Sequence, residues 1–190
     1  MALVLGSILF SCEEKEKTWQ LTNTIQLEGI NPIGISSLEN NIWLSDGDHN
    51  RVVKIDSLGR ILSSIDSLER PMHIDGTGTT LFIPQYGNDL ILKWSNGKSN
   101  PLILSDSLDA PAGVSVYGDE IAIADFYNNR ILYSSNGKDW KSFGEEGKAN
   151  GQFYYPTDVQ ITPEKIWVAD AYNNRVQVFD KDFKFLAAIG

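Results

Sequence analysis

One cysteine, Cys12, stands in a chain of 190 residues, so no disulfide can form within it. Histidine is almost as scarce, with only His49 and His73. A zinc centre takes three or four His or Cys ligands, and a Ser or Cys nucleophile needs a His partner, so both chemistries start short of parts. No Ser or Cys sits in a recognisable nucleophile elbow either. Positive charge is in deficit, with 16 Lys and Arg against 25 Asp and Glu and a net charge of −9. No run of the basic residues forms the cationic face that a phosphate backbone needs, which argues against nucleic acid as a partner. No apolar run approaches the roughly 20 residues that cross a bilayer as a helix. No stretch keeps helical spacing for about ten residues, which leaves the 42% hydrophobic content to be organised in strands.

What the chain does have is a repeat. Pro32, Pro71, Pro111 and Pro156 are separated by steps of 39, 40 and 45 residues, and each opens a similar unit. After each proline comes a short alternating run (GISSLE, HIDGTG, GVSVYG, DVQIT), then a second (NIWLSD, TLFIPQ, EIAIAD, KIWVAD). A third (RVVKID, DLILKW, RILYSS, RVQVFD) and a fourth (RILSSI, PLILS, DWKSFG, FKFLAAI) complete the unit. The period within each run is two, and Val, Ile, Leu and aromatic residues dominate, as in strands. Leu58-Gly59, Asn96-Gly97 and Asn136-Gly137 fall between third and fourth runs, where residues tolerant of positive φ close a hairpin. Four-stranded antiparallel units at a period of about 40 residues are blades of a β-propeller. The expected fold is all-β, one propeller domain over residues 19–190 with blades at about 30–67, 68–107, 108–152 and 153–190.

The stretch I-W-V-A-D-x-x-N-N-R-V-x-V-F at 166–179, with a proline-led run before it, resembles the NHL repeat. The third unit, with ADFYNNRI, matches closely; DGDHNRVVKI (46–55) matches fairly, and PQYGNDLILK (84–93) has lost the Asp and Arg. FGEEGKANGQFYYP (143–156) is similar to that family's Gly-rich approach to the next blade. The resemblance covers residues 30–190 and implies six blades. Closure at six would take about 75–80 residues beyond Gly190 at this period, so the 190 residues are expected to form an open arc with exposed edges. In that arc WQLTNTIQLEG (19–29) is an orphan strand. SSNGKDW (134–140) resembles a shortened Asp-box of sialidase-type propellers and is expected to be a turn.

The repeated turn residues Asp46, Asn50 and Arg51, Asp125, Asn129 and Arg130, and Asp170, Asn174 and Arg175 are assigned to structure, because a catalytic group need appear only once. The Asp accepts backbone N–H bonds across the turn, the Asn supports left-handed geometry, and the Arg reaches a neighbouring loop carboxylate. Strand direction places these turns on the same side as the linker that enters each blade. That side gathers Gly34, His73, Gly113 and Asp158 near the channel. Beside them stand Tyr86, Phe126, Tyr127 and Tyr172. The candidate binding face is therefore His73, Tyr86, Phe126, Tyr127, Asp158 and Tyr172, suited to a protein, peptide or glycan. His73, Asp158 and Asp75 fall short of a zinc or calcium set, so no metal, no cofactor and no catalytic residue are expected, and the chain is expected to be a non-enzymatic binding scaffold. The alternative is a metal-dependent propeller enzyme, lyase- or lactonase-like, with its remaining site residues in further blades.

The N-terminus carries its own signal. MALVLGSILF is a short uncharged apolar run, and Leu9-Phe10-Ser11-Cys12 resembles the lipobox of bacterial lipoproteins, although no Lys or Arg precedes the run. This reading makes 1–11 a signal peptide and 12–18 the lipidated Cys12 with an acidic tether, EEKEK. It places the protein in the bacterial cell envelope, at the outer membrane, touching the membrane through the lipid anchor only.

Overall fold

The structure, a computed structural model, describes residues 20–190; the apolar leader, Cys12 and the tether lie outside the described residues. Sixteen strands form four separate sheets, each an antiparallel meander in chain order. The first blade is β1 (Gly34–Leu38), β2 (Asn41–Asp46), β3 (Arg51–Ile55) and β4 (Ile61–Ile65). The second is β5 (Asp75–Thr77), β6 (Thr80–Gln85), β7 (Leu90–Ser95) and β8 (Lys98–Pro101). The third is β9 (Pro111–Tyr117), β10 (Glu120–Asp125), β11 (Arg130–Ser134) and β12 (Trp140–Phe143). The fourth is β13 (Asp158–Ile161), β14 (Lys165–Asp170), β15 (Arg175–Asp180) and β16 (Phe185–Ile189). Gly59, Gly97 and Gly137 take positive φ in the outer hairpins, as the turn chemistry requires. In SSNGKDW the Asn136 side-chain Oδ1 accepts the N–H groups of Lys138 and Asp139 at 3.0 and 2.9 Å, which makes that stretch an Asx-type turn.

Period-two alternation sends one set of side chains forward and the other back, so that the blades pack on one another through both faces at the seams between them. Trp43 and Val52 of the first blade pack on Ile74, Leu81 and Ile83 of the second. Phe82 and Ile91 continue to Val114, Ile121 and Ile123 of the third. Ala122, Ala124 and Ile131 meet Val159, Ile166 and Val168 of the fourth. One linker residue plugs each seam three places before the proline: Leu68, Leu108 and Phe153, all buried. In the fourth blade Trp167, Ala169 and Val176 hold the positions of Ala122, Ala124 and Ile131 but line a shallow open cleft, with Ile189 exposed beside it.

One expectation needs correction. Residues 20–29 form no strand. Alternation makes a strand only where a ladder partner is free, and the last blade supplies its own outer strand, β16. Instead Leu27 and Ile30 lie over Leu44, Val53 and Ile55 and cover the rear face of the first blade, as the linker plugs do at the other seams.

Candidate functional site

The turn between second and third strands is built on a carboxylate with no solvent exposure. Asp170 accepts the Tyr154 amide at 2.8 Å, the Arg175 Nε at 2.7 Å, and side-chain bonds from Asn173 and Gln177. Asp125 accepts the Asp109 amide, Asn128 Nδ2 and Arg130 Nε. Asp46 accepts the Asn31 amide, His49 Nδ1 and Arg51 Nε. Burial alone would raise the Asp46 carboxyl; the bonds from His49, Arg51 and Asn31 outweigh it and hold it below its usual range. Each guanidinium also donates to the linker entering its own blade, at Gly29, Ser107 and Ala149. Among the described residues Arg130 alone of the three reaches a neighbouring loop carboxylate, Asp106 at 2.6 Å; Arg51 and Arg175 donate to carbonyls there instead. In the second blade Gln85 takes the place of the acid and Leu90 that of the arginine. Its Oε1 still accepts the linker amide, from Glu69 at 2.8 Å. A neutral acceptor needs no cation, so losing both charges together leaves neither buried alone.

Asn50, Asn129 and Asn174 take left-handed φ of 54°, 52° and 53°. Two of them do something the sequence reading missed. Asn50 Oδ1 accepts the Arg70 amide at 3.0 Å, and Asn129 Oδ1 accepts the Tyr155 amide at 2.8 Å. Asp89, left-handed at 59°, accepts the Ala110 amide at 2.8 Å. All three amides stand just before the next blade's proline, in residues that are themselves left-handed (φ 52°, 51° and 54°). The turn therefore clamps one blade to the next and holds a strained residue in place. The signal was present in the sequence, since Asp89 keeps the acceptor in the unit that has lost the Asp and Arg.

Above the clamps lies a continuous aromatic surface. Phe126 is its centre: stacked on Tyr155 at 4.9 Å and 14°, and edge-on to Tyr86, Tyr127 and Tyr172 at 5.8, 4.9 and 6.1 Å. Tyr154 stacks on Tyr155 at 4.5 Å, and the Tyr86 hydroxyl donates to that of Tyr127 at 2.8 Å. Burial first, then the Tyr127 hydroxyl, pushes the Tyr86 phenol up to about 12. The Arg70 guanidinium lies over the Tyr86 ring at 5.0 Å. Tyr127 and Tyr172 remain 48% and 58% exposed. The structure brings together Tyr86, Phe126, Tyr127 and Tyr172 as expected. Tyr154, Tyr155 and Arg70 were missed, although they sit in linkers that strand direction already places on this face.

His73 and Asp158 sit apart from the rings, at the axis. The inner strands approach so closely that a Cβ on Gly113 would lie 2.5 Å from Asp158 Oδ1, and one on Gly34 would lie 2.8 Å from the His73 backbone. Gly113 thus leaves room for His73 Nδ1 to face Asp158 Oδ2 at 3.7 Å across two blades. A cavity of about 320 Å³ opens here, lined by Ile35, His73, Asp75, Val114, Asp158 and Gln160. Burial pushes the Asp158 carboxyl up, with His73 opposing and Asp75 adding to the rise; burial also raises Asp75, against bonds from the Val116 and Gly76 amides and Ser36. Among the described residues no group of three His, Cys, Asp or Glu side chains is placed to hold a metal ion.

Comparison with known proteins bears on the fold first. Residues 153–179 match the NHL repeat. Among curated proteins no sequence matches the chain. Solved structures with this fold include streptogramin B lyase, with a TM-score of 0.68 and 18% identity over 82% of this chain and 53% of that one. A catalytically inactive virginiamycin B lyase from Staphylococcus aureus with quinupristin gives 0.66 and 17% over 82% and 54%. A chain of a nidogen/laminin complex gives 0.73 and 20% over 88% and 66%. The chain spans about half the length of the lyase chains it matches. At these identities the likeness shows the fold alone. It nevertheless overturns the expectation of a non-enzymatic chain: the same blades carry a lyase elsewhere, so a repeated structural turn and a sparse histidine count are no argument against catalysis. The described residues form a β-propeller arrangement of four four-stranded blades, and the fourth matches the NHL repeat over residues 153–179.

Proposed function

We propose that the tyrosine surface is the face on which this chain binds a protein or peptide partner. The observation that carries the reading is the set of six aromatic side chains drawn from three blades and centred on Phe126, with Tyr127 and Tyr172 about half exposed. Tyrosine and phenylalanine offer large contact area at little rotamer cost, as interface hot spots do. The clamps beneath hold the rings in place before a partner arrives, which reduces the ordering cost of binding. A nidogen/laminin complex among the similar folds adds support. The test is a random-peptide display library panned on the wild type and on the Tyr127→Ala/Tyr172→Ala double variant. Peptides enriched on the wild type and lost on the variant are expected; equal enrichment on both, or enrichment of glycans alone on a glycan array, contradicts the reading.

The same proposal places the chain on a membrane surface through Cys12. Incorporation of a labelled lipid precursor is expected in the wild type and absent in Cys12→Ser. Undiminished labelling would remove the anchor from the account.

A second reading has its own observation, the His73–Asp158 pair over a cavity of about 320 Å³. There a carboxyl raised by burial and an imidazole could move a proton on a bound substrate. The reading stands if quinupristin is converted by the wild type and not by His73→Gln; it falls if neither protein converts it.

A further inference from the structure

We infer that the partner presents a cationic segment, a peptide bearing lysine or arginine, to the tyrosine face. The inference rests on the reading of that face as a binding surface and adds the chemistry of what it recognises.

The first support is charge. The loops of this face are the turns 46–51, 85–90, 125–130 and 170–175 and the linkers 29–33, 66–74, 104–110 and 144–157. Together they carry eleven carboxylates against five cations, a balance of −6 out of a whole-chain net charge of −9. Three of those cations, Arg51, Arg130 and Arg175, are already engaged by the buried Asp46, Asp125 and Asp170. The exposed remainder is acidic, with only Arg70 and Lys148 opposing it.

The second support is placement. The acids are pinned beside the rings by the backbone bonds that shape the loops. Glu69 O accepts from Gly87, next to Tyr86, at 3.0 Å, and Asp109 O accepts from Tyr127 at 3.2 Å. Glu145 O accepts from Phe153 at 2.9 Å, and Glu146 bridges the same residue, immediately before Tyr154 and Tyr155. An acidic residue therefore stands beside each part of the ring surface along the backbone.

The third support is a cation already seated there. Arg70 lies over Tyr86 at 5.0 Å, so the geometry accommodates a guanidinium on a ring face. Ring faces carry negative quadrupole density, and a carboxylate at the rim adds to the attraction. An acidic peptide or a phosphate would meet repulsion from both.

The test uses three pools of fluorescein-labelled heptapeptides with the same apolar residues. In one the variable positions are Lys and Arg, in the second Gln and Ser, in the third Asp and Glu. Anisotropy is measured on the full chain. The basic pool is expected to bind at least about tenfold more tightly than the neutral one. Its affinity should weaken severalfold between about 0.05 and 0.5 M NaCl, as screening requires. Glu69→Gln/Glu146→Gln should weaken it severalfold, and Tyr127→Ala/Tyr172→Ala should abolish it. If the neutral or acidic pool binds as well and is lost in the tyrosine variant, the charge inference falls while the face remains the binding surface. Basic binding indifferent to the tyrosine variant, or no binding by any pool, overturns both.

Discussion

Asp170→Ala is expected to lower the free energy of unfolding by about 3–5 kcal/mol, the range for removing one partner of a buried ion pair. The carboxylate is fully buried, and it is the acceptor for the Tyr154 amide and the Arg175, Asn173 and Gln177 side chains. Its loss strands a guanidinium whose side chain is 14% exposed. The second blade supplies the control. Asp170→Gln with Arg175→Leu copies its Gln85 and Leu90, which keep the linker bond without a charge. That double variant is expected to recover more than half of the loss in urea denaturation. An Asp170→Ala midpoint equal to wild type would mean that the acid serves something other than the blade.

Phe153→Ala is expected to cost about 3–5 kcal/mol, the usual range for deleting a core phenylalanine. Phe153 is fully buried at the seam between third and fourth blades, 5.7 and 6.0 Å from the Phe179 and Phe143 rings. The seam cannot close over the cavity, because the linker behind the ring is fixed by the clamp from Asn129 to the Tyr155 amide. The chain beside it is fitted so tightly that a Cβ on Gly144 would lie 2.3 Å from the Phe153 ring. Denaturation read by near-ultraviolet circular dichroism checks this, since the signal reports the fixed packing of the chain's 5 Trp and 7 Tyr residues. A loss below about 1 kcal/mol would show that the two blades slide together and that the seam is not a rigid joint.

The fold was legible because the repeat writes the same local chemistry four times. A proline, an alternating run and a hydrophobic run recur in all four units, the closing acid and the Asn-Arg of the turn in three, and each carries a local meaning that agrees with the others. The orphan strand was misread because alternation at Leu21, Ile25 and Leu27 says nothing about whether a ladder partner is free. The candidate face was partly legible. Tyr86, Phe126, Tyr127 and Tyr172 occupy equivalent turns and stand out by alignment. Tyr154 and Tyr155 lie in a linker whose length differs from its counterparts, so repeat alignment passes over them. The clamp from Asn50, Asp89 and Asn129 to the next blade's amide joins residues 20 to 26 positions apart, and only the ring geometry brings such pairs together. The histidine–aspartate pair at the axis needed Gly113 to be seen as a close approach, which composition does not show.

Partners that bind on the tyrosine face, with the repeated acid turns holding it from beneath, should leave a localised footprint on the backbone. Hydrogen–deuterium exchange on the wild-type chain, with and without the tightest peptide of the basic pool, tests this directly. Protection is predicted in 84–90, 125–130, 153–157 and 171–175, with no change in the outer hairpins around Gly97 and Gly137. Protection confined to those hairpins, or to the exposed face of the fourth blade around Trp167 and Ile189, would contradict it.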